Sequence, residues 1–198
     1  MDNRNQLRKI TREKRLALSN NEQTMAAVQL SERLTTHPKV VSAQHIAIYL
    51  ANDGELNTLA FIEWCWANNK QVYLPVIHPF SQGHLLFLNY TPETEMCKNR
   101  FGISEPKLNV NLIQHIENID IIFTPLVAFD ETGARLGMGG GFYDRTLQSW
   151  FEQYKTDKQS RPYPIGLAHN CQLVSSIPTE YWDIPIPELI TPTQNYQF

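Results

Sequence analysis

The chain is poor in the residues that staple, span or bind indiscriminately. Its three cysteines, Cys65, Cys97 and Cys171, are far apart and include no Cys-x-x-Cys pair. Neither a disulfide framework nor a structural zinc site is indicated, and they read as packed thiols. The six histidines, His37, His45, His78, His84, His115 and His169, show no metal-ligand spacing and are assigned no role. No run of about 18 or more apolar residues could span a bilayer, and no N-terminal apolar stretch resembles a signal peptide. A cytoplasmic protein with no membrane partner is the expectation. Excess basic charge is missing too. A net charge of -3 and a pI near 6.1 leave no polybasic signature, so anions must be held by locally placed arginine and lysine. Repeats, low-complexity tracts and linkers are absent. With 198 residues, 42% hydrophobic, the chain can build one domain, residues 1–198, around a substantial core.

Glycine is scarce, which makes its distribution informative. Four of the nine glycines, Gly137, Gly139, Gly140 and Gly141, fall within five positions. They lie in the run Arg135-Leu136-Gly137-Met138-Gly139-Gly140-Gly141-Phe142-Tyr143-Asp144-Arg145. Such a backbone bends tightly and can turn several N–H groups toward one anion. Apolar residues from Ile119 to Phe129 predict a buried strand before it. Phe142 to Tyr154 predicts a helix after it, with Phe142, Leu147, Trp150 and Phe151 available to the core. A strand-to-helix junction suits phosphate. The known nucleotide fingerprints nevertheless fail: no lysine follows Gly141, as a Walker A loop requires, and Phe142 stands where a Rossmann turn needs its third glycine. The flanks separate the run from an ordinary mobile turn. Arg135 and Arg145 can bind phosphate oxygens, whereas Asp144 would repel them unless a cation such as Mg²⁺ lies between.

The remaining segments predict an α/β fold. Asn3 to Leu18 reads as a helix with Arg4, Arg8, Arg12 and Arg15 along one face, either a solvated basic face or a clamp for a polyphosphate. Ser19-Asn20-Asn21-Glu22 has the form of a capping box and opens a second helix to about Thr36. Gln44 to Leu50 alternates like a strand, a turn follows at Asn52-Asp53-Gly54, then a helix from about Thr58 to Asn68 and a strand from Gln71 to Val76. This is a βαβ pattern. Leu85 to Tyr90 completes a hairpin, and a short helix is expected near Val110 to His115. Tyr163 to Ala168 and Leu173 to Val174 read as late strands, while Trp182 to Ile190 has too many prolines for a central one. The expected architecture is a single mostly parallel sheet with helices on both faces, a Rossmann-like three-layer arrangement. Ligands in such sheets bind beyond the carboxyl ends of the strands, where the Glu55 turn and the glycine run both fall.

On these residues the chain resembles the 5-formyltetrahydrofolate cyclo-ligase family. The likeness covers nearly the whole sequence and is most specific at Pro125-Leu126-Val127-Ala128-Phe129-Asp130, Gly133, and Arg135 to Arg145. Supporting elements are the Leu7-Arg8 helix, Asp53-Gly54-Glu55, Gly102-Ile103-Ser104-Glu105-Pro106, and Pro178…Asp183…Ile190-Thr191. Phe142 stands where the family commonly has tyrosine. The resemblance implies ATP- and Mg²⁺-dependent cyclisation of 5-formyltetrahydrofolate to 5,10-methenyltetrahydrofolate, with release of ADP and phosphate. ATP contacts carry over to Arg4, Asn5, Gln6, Leu7 and Arg8, and to Arg135, Leu136, Gly137, Met138, Gly139, Gly140, Gly141, Phe142 and Tyr143. Metal ligation carries over to Asp144 and Asp183, folate binding to Leu50 and Glu55 with Phe101 as a further contact, and catalysis to Tyr143 and Arg145. Small molecules are the expected partners, not nucleic acid, and the expected state is a monomer. Other classes remain open on the residues alone: a non-catalytic nucleotide- or RNA-binding module, or a sugar-phosphate isomerase or acyl transferase needing phosphate but no ATP. The acidic total charge and the lack of aromatics along the arginine stripe count against RNA.

Overall fold

The structure, a computed structural model, describes residues 3–198. Three helices open the chain, α1 (Asn3–Leu16), α2 (Asn20–Thr36) and α3 (Pro38–Ser42). Strand β1 (His45–Ala47), helix α4 (Leu59–Ala67) and strands β2 (Gln71–Ile77) and β3 (Leu85–Asn89) follow. Short strands β4 (Met96–Lys98), β5 (Ser104–Pro106) and β6 (Ile113–Gln114) lead to β7 (Ile121–Pro125), β8 (Ala128–Phe129) and β9 (Arg135–Leu136). Helices α5 (Phe142–Thr146) and α6 (Gln148–Tyr154) precede β10 (Tyr163–Leu167), β11 (Glu188–Ile190) and β12 (Asn195–Gln197).

Eight strands form one sheet in the order β12-β11-β10-β7-β1-β2-β3-β6. From β11 to β2 the neighbours run parallel. The outer β12, β3 and β6 are antiparallel to theirs. Period-2 alternation divides the core between the two faces. Ile46, Ile48, Leu74 and Phe123 pack against Leu30 and Leu34 of α2 and Phe61 and Ile62 of α4. Ala47, Tyr73 and Ile122 meet Leu147 and Trp150 on the opposite face. The expected three layers are therefore present. The capping box at Ser19 is formed, with the Ser19 N–H donating to the Glu22 carboxylate at 2.8 Å and Ser19 Oγ accepting from the Glu22 N–H at 3.3 Å.

Local departures from the sequence reading have physical causes. The predicted strand from Ile119 to Phe129 stops at Pro125 and is followed by a separate β8–β9 hairpin. Helix Phe142–Tyr154 is interrupted at Leu147 (φ -91°, ψ 1°), which lets Leu147 and Trp150 reach the core. Trp182–Ile190 does contribute a strand inside the sheet, because β11 begins just after Pro187, where every residue again has an N–H to donate. Val110–His115 is a 3₁₀ turn at Val110–Leu112 followed by β6. Leu173 makes only an isolated bridge to Phe129. Cys65 is buried, Cys171 partly so and Cys97 exposed, so packing describes only part of the thiol set. Arginine 15 is 1% exposed, which removes the solvated-face reading for that end of the stripe.

Candidate active site

A cavity of about 500 Å³ opens beyond the carboxyl ends of β1, β2 and β7, lined by Leu50 and Leu126 just past β1 and β7 and by Ile77 at the end of β2, among others. Three segments build its polar features. One is the turn after β1. Asp53 (φ 53°) and Gly54 (φ 74°) take left-handed conformations there, a strained choice for an aspartate. Arginines from α1 hold it: Arg12 Nε and Nη2 donate to the Asp53 carboxylate at 2.8 and 2.9 Å, and Arg15 Nη2 at 2.7 Å. Those bonds, Arg12's first, keep the Asp53 carboxyl below its usual range. The turn thereby aims Glu55 into the cavity, with its Oε2 accepting from the Asn52 N–H at 3.1 Å. Part of the Glu55 surface faces the cavity, yet protein encloses the carboxyl on most sides. Burial pushes it up to about 7, against the opposing pull of the Asn52 bond and the Arg15 charge. Burial likewise raises the phenols of Tyr49 and Tyr143, which both line the cavity near Glu55.

The β4–β5 hairpin supplies the facing wall. Glu105 accepts from Asn99 Nδ2 at 2.9 Å and from the Ile77 N–H at 3.3 Å, tying the hairpin to β2. At its tip Phe101 sits edge-on to Phe142, ring centroids 6.0 Å apart.

The third segment is the glycine run between β9 and α5. Gly139 (φ 99°) and Gly141 (φ 64°) require the left-handed region that only glycine enters without cost. None of the N–H groups of residues 137–141 meets an acceptor among the described residues. Four of these five residues, Gly137, Met138, Gly140 and Gly141, line the cavity. Arg135 Nη2 donates to Asp144 Oδ1 at 2.7 Å, and the Ile184 N–H reaches the same oxygen at 3.3 Å. Helix α1 returns here: Arg8 Nε donates to the Gly137 carbonyl at 2.9 Å, and Arg4 grips Asp183 through Nη1 and Nη2 at 2.5 and 2.9 Å. Burial would raise the Asp183 carboxyl, but the Arg4 bonds hold it below its ordinary value.

Of the residues singled out in the sequence, Leu50, Glu55, Phe101, Arg135, Gly137, Met138, Gly140, Gly141, Phe142, Tyr143 and Asp144 line this one cavity. Arg4, Asn5, Gln6, Leu7, Arg8, Leu136, Gly139 and Asp183 stand outside its lining, and Arg145 lines an adjoining cleft. Leu7 and Leu136 pack together with Ala128 and Ile177, so their side chains serve the core. Tyr49, Asn99 and Glu105 were not picked out. Glu105 lay within the Gly102–Pro106 motif, which marked the segment but not the side chain.

Among the described residues no group of three or more histidine, cysteine, aspartate or glutamate side chains could hold a metal ion. Mg²⁺ bound with a nucleotide needs less, since it keeps several waters and takes one or two carboxylates together with phosphates. Asp144 fits that demand: it lines the cavity, and only its Oδ1 is engaged by protein donors among the described residues. Asp183 fits only if Arg4 exchanges partners, because both of its oxygens are taken.

Comparison with known proteins points one way. A model of the 5-formyltetrahydrofolate cyclo-ligase family matches residues 1–192. The chain is 50% identical over 187 residues to the 5-formyltetrahydrofolate cyclo-ligase of Escherichia coli K12, covering 94% of this chain and 99% of that one. It is 46% identical over 188 residues to the Haemophilus influenzae protein of the same name, covering 94% and 96%. The solution structure of Aquifex aeolicus 5,10-methenyltetrahydrofolate synthetase superimposes with a TM-score of 0.80 at 27% identity, covering 98% of this chain and 92% of that one.

Proposed function

Because this chain belongs to the 5-formyltetrahydrofolate cyclo-ligase family, we propose that it closes the ring of 5-formyltetrahydrofolate at the expense of ATP, in the cavity shared by Glu55 and the glycine run. The observation that carries this reading is the pairing of unlike ends in a single cavity. An enclosed carboxyl beside apolar walls suits a pterin's amino and ring N–H groups, while a row of uncommitted backbone N–H groups suits phosphate.

The chemistry needs both. A formamide carbon is a poor electrophile and its oxygen a poor leaving group. When the formyl oxygen attacks the γ-phosphorus, ADP departs and an iminium phosphate forms. N10 then attacks the formyl carbon, loses its proton, and phosphate leaves carrying the original formyl oxygen. The protein's part is to position two ligands and stabilise charge. Glu55 and Leu50 orient the pterin. The glycine N–H groups and the guanidinium of Arg135 face the phosphates. Tyr143 keeps its proton, since burial holds its phenol well above neutrality, and so acts as a hydrogen-bond donor to developing negative charge. Arg4 and Arg8, at the outer side of the loop, support it and the nucleotide beyond. Mg²⁺ carried by ATP would sit on Asp144, with Asp183 a second ligand if Arg4 releases it, and would neutralise charge on the phosphates.

Isotope transfer tests the mechanism. Substrate labelled with ¹⁸O in the formyl group should yield inorganic phosphate carrying one ¹⁸O per turnover. Label appearing in water and not in phosphate would rule out phosphorylation of the formyl oxygen.

A further inference from the structure

Beside the main cavity lies a cleft of about 380 Å³ formed by the turn at Gly83, by Arg100 and Arg145, and by Phe101, Gly140 and Phe142, which it shares with the main cavity. Its charge is one-sided. No carboxylate lines it, and neither Arg100 nor Arg145 forms an ion pair with any described residue. Arg4, Arg12, Arg15, Arg135 and Arg161 each have an aspartate partner.

Arg145 is built into place. Its Nη1 donates to the Gly140 carbonyl at 2.6 Å. A Cβ added at Gly83 (φ +80°) would stand 2.4 Å from that nitrogen, and one added at Gly141 would stand 3.0 Å from it. Two glycines therefore clear room for one guanidinium. Arg100 lies over the Phe101 ring, 5.0 Å from its centroid, so it is steered as well.

The order of strands says what arrives there. Glu55 follows β1. The next strands across the sheet, β2 and β3, give the cavity its apolar wall of Leu74, Ile77 and Leu85. The Leu85 N–H donates to Thr146 Oγ1 at 3.0 Å, joining that wall to α5 and its Phe142 and Arg145. A reduced folate with its pterin at Glu55 would lay its aminobenzoyl ring along this wall and pass the contacting Phe101–Phe142 pair, which lines both the cavity and the cleft. We propose that the Arg100–Arg145 cleft is an anion subsite for the carboxylates at the glutamate end of the folate substrate, a reading that rests on the cyclo-ligase function proposed above. Guanidinium groups suit paired carboxylate oxygens.

Nucleotide phosphates carry the same kind of charge, so the test separates the two sources. Cyclisation would be followed with 5-formyltetrahydrofolate and with 5-formyltetrahydropteroate, which lacks the glutamate. The wild-type protein should lose about tenfold in kcat/KM on the shortened substrate, the scale of a charge-assisted contact at a partly solvated site. Arg100→Ala should lose most of that factor on the intact substrate and nothing further on the shortened one, with KM for ATP unchanged, whereas Arg145→Ala, at a residue also expected to serve catalysis, should lose efficiency on both and more on the intact one. Arg100→Lys should recover part of the factor. Three results would overturn the subsite: equal wild-type efficiency on both substrates, equal losses by Arg100→Ala on both, or a rise in its KM for ATP. Failure of the wild-type protein to cyclise either substrate is a separate outcome, which overturns the functional reading and the subsite with it.

Discussion

At the scale of single residues, Glu55 is under competing demands. Its carboxyl ionises near 7 in the folded protein because burial disfavours the charge, whereas an unfolded glutamate ionises near 4.5. The folded state therefore loses stability as pH rises from about 4.5 through about 7, by an amount on the order of 3 kcal/mol. Glu55→Gln should abolish that loss. Urea unfolding at pH 5.5 and 8.5 should show the variant gaining on the wild type at the higher pH, and an identical pH dependence for both would mean that burial does not raise the group. Pterin binding pulls the other way, since only the carboxylate accepts two N–H groups. KM for the folate should fall between pH 6 and pH 8 in the wild type and stay flat in the variant, where it should also be raised well above tenfold while KM for ATP changes little. A flat wild-type profile would remove the carboxylate from pterin recognition. His169 presents no competing switch in this range: burial lowers it to about 4, so it stays neutral.

At the scale of elements, helix α1 ties the two halves of the site together, with Arg8 at the glycine run, Arg4 at Asp183, and Arg12 and Arg15 at the turn before Glu55. Asp53→Ala would leave Arg15, 1% exposed, without its carboxylate. The expected cost is about 2–3 kcal/mol, with a raised KM for folate because the turn that aims Glu55 is no longer held. Arg12→Ala, at a side chain 40% exposed, should cost less than about 1 kcal/mol. Denaturant midpoints for the two variants check the contrast, and equal losses would contradict it. Gly141→Ala forces a side chain into φ 64° at a cost of about 1 kcal/mol and should raise KM for ATP. The same elements mark what could be read in advance. The capping box, the βαβ unit and the glycine run are written in adjacent residues. The partners of the arginine stripe are not. Asp53 is 41 positions from Arg12 and Asp183 is 179 from Arg4, and a single sequence carries no sign of such pairings. β11 was hidden because prolines up to Pro187 masked a three-residue strand just beyond them. The Gly102–Pro106 motif marks the hairpin that carries Arg100 but not that side chain.

At the scale of the whole molecule, the parallel core from β11 to β2 gathers the strand ends on one side, so loops distant in sequence share one cavity. The antiparallel β3 and the β4–β5 hairpin close it laterally and add the walls along which a long substrate can lie. Asp144 stands where that cavity meets the glycine run and is already paired with the buried Arg135. Asp144→Asn should lower turnover by at least about a hundredfold while leaving thermal unfolding within a few degrees of the wild type. Near-normal activity in the purified variant would remove the metal and phosphate assignment. The central claim is that one cavity joins folate and ATP in a cyclisation, and it is tested most directly by following the absorbance of 5,10-methenyltetrahydrofolate as it forms from 5-formyltetrahydrofolate. Product should appear with the purified protein only when ATP and Mg²⁺ are both present, with one ADP released per product. Formation at an undiminished rate without ATP, or no formation under any of these conditions, would contradict the account.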